Sequence, residues 1–200
     1  PVTVETEKGK IAVIAISSSF NNASKASPTA PDLPPRPGLN FLRHSVVYQV
    51  TPEHMKALSE IAAGTAINGT HDLSVKTGFA TDDGTYFFGG IKFVEGETEK
   101  KITKPNAADV ERTCAAIKEA AKTHDAVIVM LHCHEIRGFE FTEQADFAVE
   151  FCHACIDAGA TAIVGGGTHQ LKPVEIYKGK PIFHSLGDFA FQNGSVEILP

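Results

Sequence analysis

Apolar and polar positions along this chain fall into blocks of strand and helix length. The run Ala126-Val127-Ile128-Val129-Met130-Leu131 has strand length and no polar interruption, the pattern of a strand buried on both faces. After a polar turn, residues 139–158 carry a helical pattern. Ala160-Thr161-Ala162-Ile163-Val164 then reads as a second buried strand, opening into Gly165-Gly166-Gly167-Thr168-His169. Together they make one βαβ unit. A helical crossover predicts parallel strands, so the loops bearing His132, His134 and His169 leave the same carboxyl edge of the sheet. Ligands of open α/β sheets bind at that edge.

The rest of the pattern is consistent with this unit. Residues 10–16 (KIAVIAI) predict a buried strand after a polar lead containing Gly9, ending at Ser17-Ser18-Ser19. Residues 21–37 turn to Asn, Ser, Ala and Pro, with five prolines, and predict a long loop that is either a functional lid or irregular chain. Residues 46–50 form a short strand, and Thr51-Pro52-Glu53 opens a helix with Thr51 as N-cap, Met55, Leu58 and Ile61 on its apolar face, and Gly64 at its end. Residues 86–94, interrupted by Gly89-Gly90, predict a bulged strand or a hairpin. Asn106 caps a further helix with Asp109 as its capping-box partner and Val110, Cys114, Ile117 and Ala121 on one face. Residues 174–177 and 181–185 flank Lys178-Gly179-Lys180 and predict a β-hairpin.

Composition narrows the class. Two hundred residues with 42% hydrophobic content suit a single α/β domain over residues 1–200. A net charge of −6 and a pI near 5.8, with no positive cluster longer than Lys100-Lys101 and nearby Lys104, argue against a nucleic-acid partner. No apolar run approaches the ~18 residues needed to span a bilayer, and no signal peptide opens the chain, so a soluble chain is expected. It begins at Pro1 without an initiator Met, which suggests a processed or excised piece.

The candidate chemistry gathers at the carboxyl edge. His132 and His134 are two apart on an extended strand end, so both side chains can point to one side, roughly 7 Å apart at their Cα atoms. With Glu135 and Asp188 near, converging imidazoles suit zinc, manganese or iron, which would polarise a substrate or activate a water. For His-x-His alone the plainer reading is one capping and one solvated imidazole; His169 on the adjacent loop shifts the balance to a metal site. Cys152-His153-Ala154-Cys155 has metal or redox spacing, but Ala148, Phe151, Cys152, Cys155 and Ile156 share the apolar face of the predicted helix, so these cysteines are read as buried thiols. Four unpatterned cysteines give no disulfide scaffold, which favours a reducing, cytoplasmic setting. Asn68-Gly69-Thr70-His71-Asp72 is similar to the Gly-Asn-His-Asp metal motif of phosphoesterases, but an inserted Thr and the lack of a preceding strand make it a solvated turn within residues 68–84.

Three stretches together resemble a known family. They are Leu131-His132-Cys133-His134-Glu135, the run from Phe151 to Ala160, and the run from Pro173 through Ser185-Leu186-Gly187-Asp188-Phe189, joined upstream by Arg36-Pro37-Gly38-Leu39-Asn40 and Leu42-Arg43. They resemble the CapA family of poly-γ-glutamate capsule biosynthesis proteins. The resemblance implies the C-terminal portion of a calcineurin-like metallophosphoesterase α/β sandwich, with a metal centre at the carboxyl edge of its sheets. It makes His132 a ligand in a His-x-His-Glu motif and His169 the final His of a Gly-His-x-Pro-His motif. Family members can be membrane-anchored or exported.

This sequence departs from the family at several places. Gly166 stands where that second motif has its first His, Thr168 replaces its Pro, Asp188 replaces an Asn, and His184 replaces a Tyr. The family's N-terminal half, with a metal-binding Asp and an Asn-Asn-His motif, is absent from these residues. Two functions follow as expectations. One is a metal-dependent enzyme acting on an acidic polymer, a peptide or γ-glutamyl amide, or a phosphoester, by hydrolysis, transfer or epimerisation. His132, His134 and His169 would hold a divalent metal, with Glu135 or Asp188 as base and His184 as an added imidazole. The other is a non-catalytic accessory protein of polymer synthesis. The upstream half is the expected partner, on the further ground that the strand at residues 10–16 would otherwise be an unprotected sheet edge.

Overall fold

The computed structural model describes residues 1–27, 31–81 and 84–188; Pro28 of the proline-rich loop and Phe189 of the Ser-Leu-Gly-Asp-Phe motif lie outside them. In chain order the elements are β1 (Val2–Thr6), β2 (Gly9–Ser17), a single 3-10 turn (Asn22–Ser24), β3 (His44–Val50), α1 (Pro52–Thr65), α2 (Gly69–Lys76), β4 (Tyr86–Phe88), β5 (Ile91–Glu95) and β6 (Lys100–Pro105). They continue with α3 (Ala107–Ala120), β7 (Ala126–Cys133), α4 (Asp146–Asp157), β8 (Ala162–Gly167), β9 (Val174–Tyr177) and β10 (Lys180–Phe183). Two compact units result, residues 1–44 with 105–200, and residues 45–104.

The larger unit is built on a six-stranded sheet of order β1-β2-β7-β8-β10-β9. β2, β7, β8 and β10 run parallel, and β1 and β9 are antiparallel edges. The predicted βαβ unit is therefore present, with β7 continuing through His132 and Cys133 and β8 through Gly167. One face carries the core. Ile14 and Ile16 of β2, Val129 and Leu131 of β7, Ile163 of β8 and Ile182 of β10 pack with Ile117 of α3 and with Phe147 and Phe151 of α4, all buried. The β9–β10 hairpin turns at Lys178-Gly179 with φ of 50° and 76°, the left-handed pair that a two-residue turn requires.

Two expectations about these strands are corrected. The apolar run of β7 is not buried on both faces: alternate residues are covered, while Met130 on the other face is 47% exposed. Ala15, Met130 and Val164 stand in register across that open face, and Phe183 pairs with Val164 and Val174 beyond them. Nor is β2 an unprotected edge. β1 pairs with its first half, from Thr6↔Gly9 to Val2↔Val13, and the backbone of Asn40–Leu42 bonds to Ser17 at its end. A polar lead around Gly9 concealed this hairpin.

Helix boundaries also shift. α4 begins at Asp146 instead of residue 139: Phe139 is wholly exposed, and residues 136–144 form a loop closed by the Ile136↔Gln144 bridge and an Arg137–Asp146 ion pair. In the smaller unit, Thr51 caps α1 by accepting the His54 N–H as predicted, but the helix passes through Gly64 and ends on left-handed Ala66. The stretch read as a solvated turn contains α2, preceded by Asn68, whose side chain bonds to the backbone of Phe87 and Gly89. β4 and β5 form the hairpin at Gly89-Gly90, β5 lies parallel to β3, and β6 completes the order β4-β5-β3-β6.

Asp109 is not the capping-box partner it resembled. Asn106 does cap α3 by accepting the Asp109 N–H, but the Asp109 carboxylate is fully buried and takes Arg43 through its Nε, its Nη2 and its backbone N–H, and Arg112 through Nη1. Burial alone would raise this carboxyl; the bonds from Arg43 and Arg112 outweigh it and hold its pKa at about 2. A lowered folded pKa adds stability that is present above the ordinary carboxyl range and is lost as pH falls through about 2. The shift corresponds to roughly 2 kcal/mol. Asp109→Asn should therefore cost about 3 kcal/mol near neutral pH, leaving two guanidiniums half-satisfied, and should flatten the loss of stability between pH 4 and pH 2, measured by urea unfolding.

Cys152 and Cys155 are buried in the α4 face, and burial pushes the Cys152 thiol far up. They belong to the core. Replacing both with Ala should cost a few kcal/mol in urea unfolding while leaving metal content unchanged.

Candidate metal centre at the carboxyl edge

Strand register builds this site. Ser17 of β2, His132 of β7 and Gly166 of β8 are paired in one row, and Cys133 pairs with Gly167 in the next. β7 therefore delivers His132 to the edge and releases the chain at His134, while β8 releases it at Thr168 and His169. The imidazoles meet. Ring centroids of His132 and His134 are 4.7 Å apart, and those of His134 and His169 are 6.0 Å apart. His169 has a φ of 60°, a left-handed conformation that costs a non-glycine residue energy and is held here by its surroundings.

The electrostatics favour a neutral His132. Burial pushes the pKa of His132 down, and the neighbouring His134 and His169 push it further, with Glu135 opposing. Neutral nitrogen is the form that ligates a metal. His169 Nδ1 lies 3.1 and 3.2 Å from the two Asp188 carboxylate oxygens, an arrangement in which Nδ1–H donates to the carboxylate and Nε2 is directed away from it. Beside it, the Thr168 hydroxyl is buried with no hydrogen-bond partner among the described residues. A cleft of about 670 Å3 lies alongside, lined by Ser17, Asn40, Met130, His132, Gly165 and Gly166.

The other expected residues have different surroundings. Glu135 Oε2 accepts the Ser18 hydroxyl at 2.6 Å and lies 3.2 Å from Cys133 Sγ. Burial works against its charge, but those bonds keep its pKa below the ordinary value, so it remains a carboxylate. The Cys133 thiol is pushed up to about 12 by burial and by Glu135, and stays protonated. His184 is buried against Glu175, which its Nε2 meets at 3.0 Å and which His153 Nε2 meets on the other oxygen at 2.6 Å. That His-Glu-His relay is separate from the imidazole trio in its bonding. Ser18, Glu175 and the buried Lys172 escaped the sequence reading, because no local pattern marks residues that meet only through strand register.

The donor set fits a divalent ion in type, with imidazoles, a carboxylate brace and an orphaned hydroxyl, but it is not a closed cage. Among the described residues, no three His, Cys, Asp or Glu side chains are disposed to hold an ion. The glycine row explains one opening. A Cβ at Gly165 would lie 2.2 Å from the His184 carbonyl oxygen, and one at Gly167 would lie 2.6 Å from that of Cys133, so these two must be glycine. At Gly166 a Cβ would meet nothing within 4 Å. Space for a side chain exists beside His132, at the position where the resembled motif carries a histidine.

Comparison with known proteins agrees with this architecture. Residues 1–193 match the family described as bacterial capsule synthesis protein PGA_cap. The uncharacterized protein y4sH of Sinorhizobium fredii is 31% identical over 191 residues, which cover 95% of this chain and 39% of that protein. The PGA biosynthesis protein CapA of Bacillus subtilis is 41% identical over 88 residues, 44% of this chain and 22% of its own length. The probable polyglutamine synthesis accessory protein MT0602 of Mycobacterium tuberculosis is 39% identical over 88 residues, with the same shares. This chain thus spans about two-fifths of y4sH and less of the others. Among the described residues no helix is long and apolar enough to cross a membrane. With the α/β architecture in place and the match running over residues 1–193, the chain belongs to the PGA_cap capsule synthesis family and has its metallophosphoesterase-like fold.

Proposed function

We propose that this chain carries the metal-binding edge of an enzyme of poly-γ-glutamate-type capsule metabolism, one that hydrolyses or rearranges a peptide, γ-glutamyl amide or phosphoester bond. The observation that carries the reading is the convergence of His132, His134 and His169 from two adjacent parallel strands, with Asp188 bracing His169. Completed by further donors, these three imidazoles would contribute ligands to a divalent ion such as manganese, zinc or iron; as disposed in this chain they do not close a site by themselves. When bound, the ion supplies Lewis-acid polarisation of a substrate oxygen or a water of lowered pKa.

The chain's own residues perform the remaining tasks. The clustering of His132 with its neighbours disfavours protonation and keeps a nitrogen lone pair available. Asp188 fixes the His169 tautomer and is the carboxylate nearest that ring, which makes it the candidate to take a proton from a substrate or water. Glu135, already accepting from Ser18 and Cys133, positions the strand end and keeps a fixed negative charge beside the site. His184 is placed to shuttle charge only within its pair with Glu175. Further donors would come from additional polypeptide packed on the open face that carries Met130 and Val174, an upstream half of the kind that relatives' greater length allows.

A second reading is a non-catalytic accessory role, favoured by the open donor set and the glycine at position 166. Metal analysis by mass spectrometry and calorimetry separates the two. On the first reading, His132→Ala or His134→Ala should lower divalent-metal affinity by at least about tenfold, and His153→Ala should leave it unchanged. Equal effects of all three substitutions would refute the assignment.

Gly166→His supplies a side chain where there is room, in register with His132. It should raise metal affinity about tenfold or more in the same titration. An unchanged affinity would show that position 166 does not face the ion.

A further inference from the structure

The chain is acidic overall, yet one ring gathers its cations. Phe41, half-buried, has Arg112 Cζ at 4.7 Å from its centroid, Lys25 Nζ at 4.9 Å and Arg43 Cζ at 5.5 Å. Lys25 also lies 4.7 Å from the ring of Phe20, which packs on Phe41 at 5.6 Å. Arg36 joins this group by donating from Nη2 to the Lys25 carbonyl at 2.9 Å. Four positive side chains from three separate segments thus meet, and the carboxylate bonded within the cluster is that of Asp109, shared by Arg43 and Arg112. Lys25 and Arg36 ion-pair with no carboxylate among the described residues.

The cluster is a built feature. Asp109 fixes both guanidiniums from below, Arg112 also bonds Asn40 Oδ1 and the Phe41 carbonyl, and the loop bearing Lys25 and Arg36 is pinned by Ala26 N–H to Leu39, Leu39 N–H to Ser24 and Ser27 N–H to Arg36. A Cβ at Gly38 would lie 2.6 Å from the backbone of residues 24–26, so only glycine lets the two loop arms approach this closely. Residues 24–27 and 36–39 are therefore held against each other beside the cluster. Its position relates it to the metal-binding edge: Ser17 bridges Phe41 on one side and pairs with His132 on the other. Two strand spacings, roughly 10 Å, separate Phe41 from His132 along the backbone.

We propose that Lys25, Arg36, Arg43 and Arg112 around Phe41 form a subsite for the carboxylates of a polyanionic chain, holding it beside the imidazole trio. The proposal rests on the reading that the site handles a poly-γ-glutamate-type polymer. An acidic chain repels a polycarboxylate in general, but at physiological salt the Debye length is about 8 Å, so charges elsewhere are screened and the local cluster decides the interaction. Arg43 and Arg112, whose donors bond Asp109, Asn106, Asn40 and the Phe41 carbonyl, contribute positive charge in a fixed place, the exposed Arg36 guanidinium suits a carboxylate through its N–H donors, and Lys25, close to two rings, adds a point charge without needing a fixed geometry. Phe20 and Phe41 are only half-buried, and their remaining apolar surface suits the methylene stems between carboxylates, which an inorganic polyanion lacks.

The test is binding of poly-γ-glutamate and, in a separate arm, of inorganic polyphosphate of matched charge to the purified protein, by calorimetry at low and physiological salt. Lys25→Ala combined with Arg36→Ala removes one half-buried and one exposed cation without touching the Asp109 pairs, and should weaken poly-γ-glutamate binding about tenfold. Lys56→Ala with Lys76→Ala, on exposed positions of the smaller unit, should change it little. Equal loss from both double variants, no binding of poly-γ-glutamate, or polyphosphate bound as tightly as the polycarboxylate would each overturn the subsite. Metal affinity measured on the same variants keeps the two readings apart. Retained metal with lost polymer supports the subsite, and polymer binding that survives in His132→Ala supports it even where the metal assignment fails.

Discussion

Parallel pairing of β7 with β2 and β8 is the constraint on which the site depends. Parallel ladders send all strands out at one edge, and the side-chain period of two decides which residues stand on which face. Here the register Ser17↔His132↔Gly166 sets one row and Cys133↔Gly167 the next. A slip of one residue in β7 would turn His132 towards the core and Leu131 outwards. That slip is opposed by Val127, Val129, Leu131 and Cys133, all buried against α3 and α4, each of which would lose apolar burial worth on the order of 1.5 to 3 kcal/mol for a full aliphatic side chain. The core thereby fixes where the imidazoles appear, with Leu131 and Cys133 turned inward on either side of His132.

Much of this was legible because long apolar runs and turn residues report on local structure. β2, β7 and β8 were readable as strands, Thr51 and Asn106 as caps, the Lys178-Gly179 turn as a hairpin, and Gly89-Gly90 as a bulge or a hairpin, of which the structure has the hairpin. The misses share a cause, which is that one local pattern serves two tertiary outcomes. Phe139 and Phe141 extended the apparent apolar face of α4, but both are exposed in the preceding loop. β6 was hidden by Lys100, Lys101 and Lys104 around its one buried residue, Thr103. α2 was hidden by Gly, Thr and Asn, poor helix formers that tertiary context overrides.

Charge was the least legible property. Read as a string, Asp109 was a helix-start residue and the basic residues were scattered. Folded, Asp109 is buried under Arg43 and Arg112, and Lys25 and Arg36 come in from the proline-rich loop. The net charge of −6 is a statement about the whole chain and says nothing of a group of cations within 5.5 Å of one ring. Likewise Glu135 looked like a free base beside two histidines, and it is instead committed to Ser18 and Cys133, partners brought by β2 and by its own strand.

The glycine triplet shows how closely structural need and chemical opportunity can sit in one sequence. Gly165 and Gly167 are excluded from bearing side chains by the carbonyls of His184 and Cys133, backbone atoms that cannot move without breaking the β8 ladder. Gly166, between them, faces open space in the same row as His132. Backbone sterics therefore account for two of the three glycines and leave the third to be explained by function. A side chain there would enter the cleft that runs from Met130 to Asn40, so glycine at this position leaves the cleft wider beside His132. The imidazoles that remain come from β7 and the loop after β8, with His169 held in a left-handed conformation by contacts that include Asp188. A left-handed histidine braced by a carboxylate is a cost the fold sustains only where the surrounding register is rigid, and the parallel core beneath it provides that rigidity.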